Sequence, residues 1–131
     1  MSELSILLVE DNEDDRFLTT RLIRKLPFKS KIENAKNGDE ALRRIMGDAA
    51  GSKELPAVII LDLQLPKIGG IALLMKIREK YNAGELPVII LSSSDNPVDI
   101  ALSKEIGIQG YLSKPLDLAA LQKHLEAIIR Q

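Results

Sequence analysis

The sequence predicts a three-layer α/β sandwich of five strand-helix units, and two observations carry that prediction. Apolar runs too short for helices recur at Ser5 to Val9 (SILLV), Ala57 to Leu61 (AVIIL) and Pro87 to Leu91 (PVIIL). Segments with apolar residues at three- and four-residue spacing lie between them. Unbroken apolar runs indicate strands buried on both faces, as in a parallel sheet, whose right-handed crossovers put helices on both sides.

The first strand, Ser5 to Val9, runs into Glu10 and Asp11. Asn12 then caps a helix expected from about Glu13 to Leu26, with Leu18, Leu22 and Leu26 as its buried stripe, Phe17 and Ile23 beside it, and Pro27 as its stop. Lys31 to Lys36 has only Ile32 and Ala35 clearly apolar, so this second strand belongs near the sheet edge. Asn37 or Asp39 opens a second helix with Ala41, Leu42, Ile45 and Met46 inward. Gly47 to Pro56 reads as a surface loop.

The third and central strand runs into Asp62, with Pro66 four residues further on. After Gly69 and Gly70 a helix carries Leu74, Ile77 and Tyr81 on one face and is expected to close at Gly84. The fourth strand leads into Ser92. Asn96-Pro97 combines a capping side chain with Pro at the first helical position, and Val98, Ala101, Leu102 and Ile106 form the predicted apolar face of a helix ended by Gly107. Gln109 to Leu112 is the last strand, and Leu118, Leu121, Leu125 and Ile128 mark a C-terminal helix. With no linker, repeat or low-complexity segment, residues 1–131 read as one domain.

Composition narrows the function. Lys and Arg total 18 against 19 Asp and Glu, and the cations are scattered, so nucleic acid is not an expected partner. Cys is absent, which removes disulfides, thiolate metal sites and cysteine nucleophiles together. The start MSELS has no basic leader, and no apolar run approaches the ~20 residues of a membrane span, so no membrane association is expected and a cytoplasmic protein is the default.

If the strands lie parallel, Glu10, Asp11, Asp62 and Ser92 converge on the carboxyl edge of the sheet, where open α/β sheets place their binding groups. Two like charges ~4 Å apart cost about 4 kcal/mol at an effective dielectric near 20, so three carboxylates stay ionised together only around a cation. Oxygen ligands without His or Cys favour Mg²⁺ or Mn²⁺ over zinc. A metal holding few protein ligands also suits a phosphoryl group, with Asp62 as the nucleophile that takes it. Lys114, in YLSKPL, offers a compact charge for the phosphoryl oxygens, and Ser92 offers a hydroxyl.

Each residue alone has a plainer reading. On spacing alone, Glu10 and Asp11 are equally compatible with solvated loop acids. Glu13, Asp14 and Asp15 read as first-turn acids favoured by the helix dipole. Ser92 alone is a polar strand end, Tyr111 a core aromatic, Lys114 a surface lysine and His124 a helix-surface residue. Only the joint pattern is specific.

That joint pattern resembles the response regulator receiver domains of two-component signalling, the CheY-like, flavodoxin-like fold. LLVEDN is similar to the family's acidic pair segment, LDLQLPKIGG to its phosphoacceptor segment with Pro66 and Gly70 in the usual places, and SSSD and GYLSKPLDL to its hydroxyl and lysine segments. The resemblance implies a doubly wound (βα)5 parallel sheet in the order 2-1-3-4-5. It also implies phosphorylation on Asp62 and a Mg²⁺ or Mn²⁺ ion held by Glu10, Asp11, Asp62 and the backbone carbonyl of Gln64. Ser92 is then the switch hydroxyl, Tyr111 the switch aromatic and Lys114 the phosphate partner, with a cis Lys114-Pro115 peptide.

Three departures from the common pattern stand out, the last of them at two positions. Ser92 stands where Thr is also frequent, Gly69 where Asp is frequent, and Gln64 and Ser94 occupy variable positions that set the lifetime of the phosphorylated state. VEDNEDD and SSSDNPVDI further resemble single-domain receivers that work with phytochrome-type histidine kinases.

The resemblance implies a signalling domain that promotes its own phosphorylation and dephosphorylation, rather than a conventional enzyme. A sensor histidine kinase supplies the phosphoryl group. The face made by the fourth helix, fifth strand and fifth helix signals to a downstream protein or phosphotransfer partner, because no DNA-binding segment is expected after Gln131. Monomer and homodimer are both compatible with the sequence. A haloacid-dehalogenase-like phosphatase would need an acid where Gln64 stands, and a flavin or dinucleotide binder would need amides or hydroxyls where DNEDD stands. The remaining alternative is a degenerate receiver acting only as a protein-interaction module.

Overall fold

The computed structural model describes residues 3–47 and 55–130. Its elements are β1 (Leu4–Val9), α1 (Glu13–Ile23), β2 (Ser30–Ala35), α2 (Gly38–Met46), β3 (Val58–Leu61), α3 (Gly69–Lys80), β4 (Val88–Ser92), α4 (Pro97–Ile106), β5 (Gly110–Ser113) and α5 (Leu118–Ile129). All strand pairs are parallel, in the order β2-β1-β3-β4-β5. The loop expected between Gly47 and Pro56 lies mostly outside the described residues.

Alternation along the strands explains the three layers. Leu7, Val9, Ile59, Leu61, Val88 and Ile90 point to one face and pack with Ala41 and Ile45 of α2 and Leu73, Leu74 and Ile77 of α3. Ile6, Leu8, Val58, Ile60, Ile89 and Leu91 point to the other and pack with Ile23 of α1 and Leu121, Leu125 and Ile128 of α5. No helix among the described residues is long and apolar enough to cross a membrane.

Several predicted details change. Helix α1 ends at Ile23 rather than Leu26, since a residue before Pro27 avoids helical geometry and the chain closes with turn bonds from Lys25 and Leu26 to Leu22 and Ile23. Its buried stripe is Thr19 and Ile23, with Leu26 buried beyond the helix end, while Phe17 and Leu18 are exposed at 63% and 51%. Helix α3 stops at Lys80, four residues before Gly84. Tyr81 is already extended, and the Asn82 side chain turns the chain by accepting the Gly84 and Glu85 amides.

Helix α4 buries Ser103 and packs Ile106 of the predicted face against the core, but leaves Val98, Ala101 and Leu102 exposed. Its Asn96 cap and Gly107 end are as expected, with Asn96 accepting the Val98 amide and Gly107 at φ 120°. The remaining strand and α2 boundaries agree with the prediction to within a residue or so.

Arg78 ties the lower edge of the sheet together. Its guanidinium donates to the carbonyls of Gly107 (3.1 Å), Tyr81 (3.2 Å), Asn82 (3.3 Å) and Leu86 (2.8 Å), joining the ends of α3 and α4 to the start of β4. Burial pushes its pKa down, but an arginine so placed stays charged. Arg78→Met strands four carbonyl acceptors and is expected to lower stability by about 2 kcal/mol. Urea unfolding followed by circular dichroism measures this, and a loss under about 0.5 kcal/mol would mean that water satisfies those carbonyls.

Candidate functional site

The parallel register brings the chemistry to one edge. Val9 pairs with Leu61, Leu61 with Ile90, and Ser92 with Ser113, so the residues that follow or close these strands are neighbours. The Asp62 amide donates to the Val9 carbonyl and the Lys114 amide to the Ser92 carbonyl, which carries the sheet pattern into the site itself. Glu10, Asp62 and Ser92 are buried, and Asp11 is exposed.

Lys114 is the hub. Its ammonium lies 2.6 Å from Glu10 Oε1, 2.8 Å from Asp62 Oδ2 and 2.8 Å from Asp15 Oδ2, which uses all three of its N–H donors. The second oxygens are held by backbone amides, Asp62 Oδ1 by Gln64 (2.9 Å) and Glu10 Oε2 by Asn12 (3.1 Å). Burial pushes Glu10 above its ordinary value, and the nearby Asp62 charge adds to this against the bonds from Lys114 and Asn12. Burial opposes the charge on Lys114, yet its bonds to Asp15, Asp62 and Glu10 outweigh that and raise its pKa.

Carboxylate oxygens of Glu10, Asp11 and Asp62 lie within 4.8 Å of one another. With Asp15, four carboxylates face one ammonium, leaving a formal charge of −3 (four negative, one positive). This oxygen-only, strongly negative donor set fits a hard dication such as Mg²⁺ or Mn²⁺.

The β4–α4 loop closes one side. Ser92 Oγ accepts the Ser94 amide at 3.2 Å, the Ser93 hydroxyl donates to Gln64 Oε1 at 2.5 Å, and the Tyr111 hydroxyl donates to the Ser94 carbonyl at 2.8 Å. Burial first, then the Asp99 and Asp62 charges, raise the Tyr111 pKa, so it stays a neutral donor. The Lys114-Pro115 peptide is cis, as the resemblance implies.

The structure therefore brings together Glu10, Asp11, Asp62, Gln64, Ser92, Tyr111 and Lys114. It also adds Asp15, which the sequence reading assigned to the helix dipole alone. The available signal was spacing: Asp15, Thr19 and Ile23 recur every four residues on the inward side of α1. His124 is not a free surface residue, because a Cβ on Gly110 of β5 would stand 2.5 Å from its ring.

A doubly wound parallel sheet with acids, a hydroxyl and a lysine at its carboxyl edge is the architecture of the flavodoxin-like receiver folds. Residues 6–126 match the response regulator receiver domain, and the chain belongs to that family, whose members are signalling modules of two-component systems. The two-component response regulator ARR17 of Arabidopsis thaliana is 36% identical over 127 residues, spanning 92% of this chain and 82% of that protein. Two solved structures overlay it closely. The phosphorylated cyanobacterial phytochrome response regulator RcpA has a TM-score of 0.80 at 28% identity, covering 97% of this chain and 91% of its own. The Mn²⁺-bound form of response regulator Rcp1 has a TM-score of 0.77 at 29% identity, covering 95% and 90%.

Proposed function

We propose that this receiver takes a phosphoryl group onto Asp62 from a phosphohistidine of a sensor histidine kinase. The supporting observation is the Lys114 ammonium bonded at once to Glu10 and to Asp62, two buried carboxylates at adjacent strand ends. An Asp62 oxygen forms the bond to phosphorus as the phosphorus–nitrogen bond breaks, and that electron pair returns to the donor imidazole. The Gln64 amide orients the Asp62 carboxylate, and Lys114 supplies fixed positive charge to a phosphoryl oxygen. Glu10, Asp11, Asp62 and the Gln64 carbonyl would hold Mg²⁺ or Mn²⁺, which would supply further neutralisation of the phosphoryl charge.

The donor histidine comes from the partner, since His124 is packed against β5. A groove of about 330 Å³ beside Lys114, lined by Leu18, Thr19, Pro115 and Leu116 among others, leaves room for the partner's approach. Phytochrome-type kinases are the proposed donor class, on the likeness to RcpA. After transfer, Ser92 moves toward the phosphoryl oxygens, and the Tyr111 bond to Ser94 makes the loop and aromatic ring respond together. Output passes through the α4-β5-α5 face to a downstream protein or phosphotransfer partner, with Val98 and Leu102 exposed on α4.

Intact mass after incubation with acetyl phosphate tests the proposal. One phosphoryl adduct is expected on the wild type with Mg²⁺, and none after chelation or in Asp62→Asn. An unmodified wild type would support a degenerate receiver that only binds partners.

A further inference from the structure

Asp15 belongs to the site through Lys114 rather than through the helix dipole. It sits in the first turn of α1, on the inward stripe that continues through Thr19 and Ile23, and its Oδ2 meets the ammonium at 2.8 Å. Its carboxylate is not among the three that cluster within 4.8 Å. The distinction matters when a dication enters. Glu10 and Asp62 each bond Lys114 and also belong to that cluster, so ammonium and metal compete for their oxygens. Asp15 holds the same ammonium without taking part in the competition.

We propose that Asp15 is a positioning residue that keeps Lys114 at the sheet edge while a divalent cation occupies Glu10, Asp11 and Asp62, and so raises the site's cation affinity. This rests on the metal-dependent reading above. Without Asp15, the ammonium's remaining partners are Glu10 and Asp62, and it contests the cation for both. The raised pKa of Lys114, to which the bond from Asp15 is the largest favourable contribution, agrees with a strong hold.

Mn²⁺ titration, followed by the electron paramagnetic resonance signal of free Mn²⁺, tests this without any phosphorylation. Asp15 is 41% exposed, so Asn in its place is tolerated by the fold. In Asp15→Asn the dissociation constant is expected to rise roughly tenfold. In a Lys114→Met background the same change should cost only about twofold, the residue of an exposed charge interaction. Asp15→Glu should restore most of the affinity. Equal factors with and without Lys114, or no change in Asp15→Asn, would overturn the proposal and leave the metal-dependent reading intact. Absence of saturable Mn²⁺ binding in the wild type would instead remove that reading, and the role of Asp15 with it.

Discussion

Gly70→Ala is expected to destabilise the protein by about 2 kcal/mol and to weaken cation binding together with stability. A Cβ at Gly70 would collide with the Leu63 Cα and stand 2.7 Å from the Asp62 carbonyl oxygen. Both obstacles are backbone, so neither moves aside by a rotamer change. Overpacking of this kind costs about 1–3 kcal/mol or more, against which the better helix propensity of Ala returns about 1 kcal/mol at most. The displaced segment carries Asp62 and the Gln64 amide that holds it, so the loss reaches the site.

Two neighbouring glycines give the comparison. A Cβ at Gly38 would collide only with side-chain atoms, Cδ1 and Cγ1 of Ile68, which a rotamer change can move, and a Cβ at Gly69 would meet nothing within 4 Å, although its φ of 72° strains any other residue. Gly38→Ala should therefore cost about 1 kcal/mol or less and Gly69→Ala about 1–2 kcal/mol, and both should leave Mn²⁺ affinity within about twofold. Urea unfolding and the Mn²⁺ titration on all three variants check this order. If Gly70→Ala behaved like Gly69→Ala, the loop after β3 would be pliable and the tight approach of α3 would have no bearing on the site.

Much of this was legible because strands carry their own address. An unbroken apolar run ending in a carboxylate identifies both a buried parallel strand and the edge where its next residue emerges, and Glu10, Asp62 and Lys114 meet accordingly. Helix faces were less legible. In α1, leucines at 18, 22 and 26 form an apolar series one position away from the true inward series of Asp15, Thr19 and Ile23. Reading the leucines as the core turned Asp15 toward solvent, and the lysine's third partner was lost with it. Helix α4 repeats the lesson: Val98 and Leu102 are apolar yet exposed, while the helix buries Ser103, whose hydroxyl donates to the Ile100 carbonyl. Hydrophobic spacing locates a helix, but it selects the inward face only when polar residues do not fill that face.

Removing the hub should be the most pH-sensitive change. In chelator-containing buffer at pH 8, Lys114→Met is expected to lower stability by about 3 kcal/mol, because Glu10 and Asp62, at 2% and 4% exposure, lose their cation. The sign of the pH dependence follows from Glu10. Its folded pKa already lies above the ordinary 4.5, so between that value and the folded one the native state binds a proton that the unfolded chain has released. Stability contributed by this group therefore falls as pH rises through that window, and without Lys114 the window extends further upward. Lys114 itself has a raised folded pKa, so its contribution is complete below the ordinary 10.5 and is lost only in strong alkali. The deficit of the variant should thus shrink as pH falls from 8 to 5.5, and it should shrink again at pH 8 when Mg²⁺ replaces the chelator. Urea unfolding of both proteins under the three conditions decides the matter: a deficit indifferent to pH and to Mg²⁺ would mean that Lys114 contributes packing, and that the carboxylates at this edge do not depend on a neutralising charge.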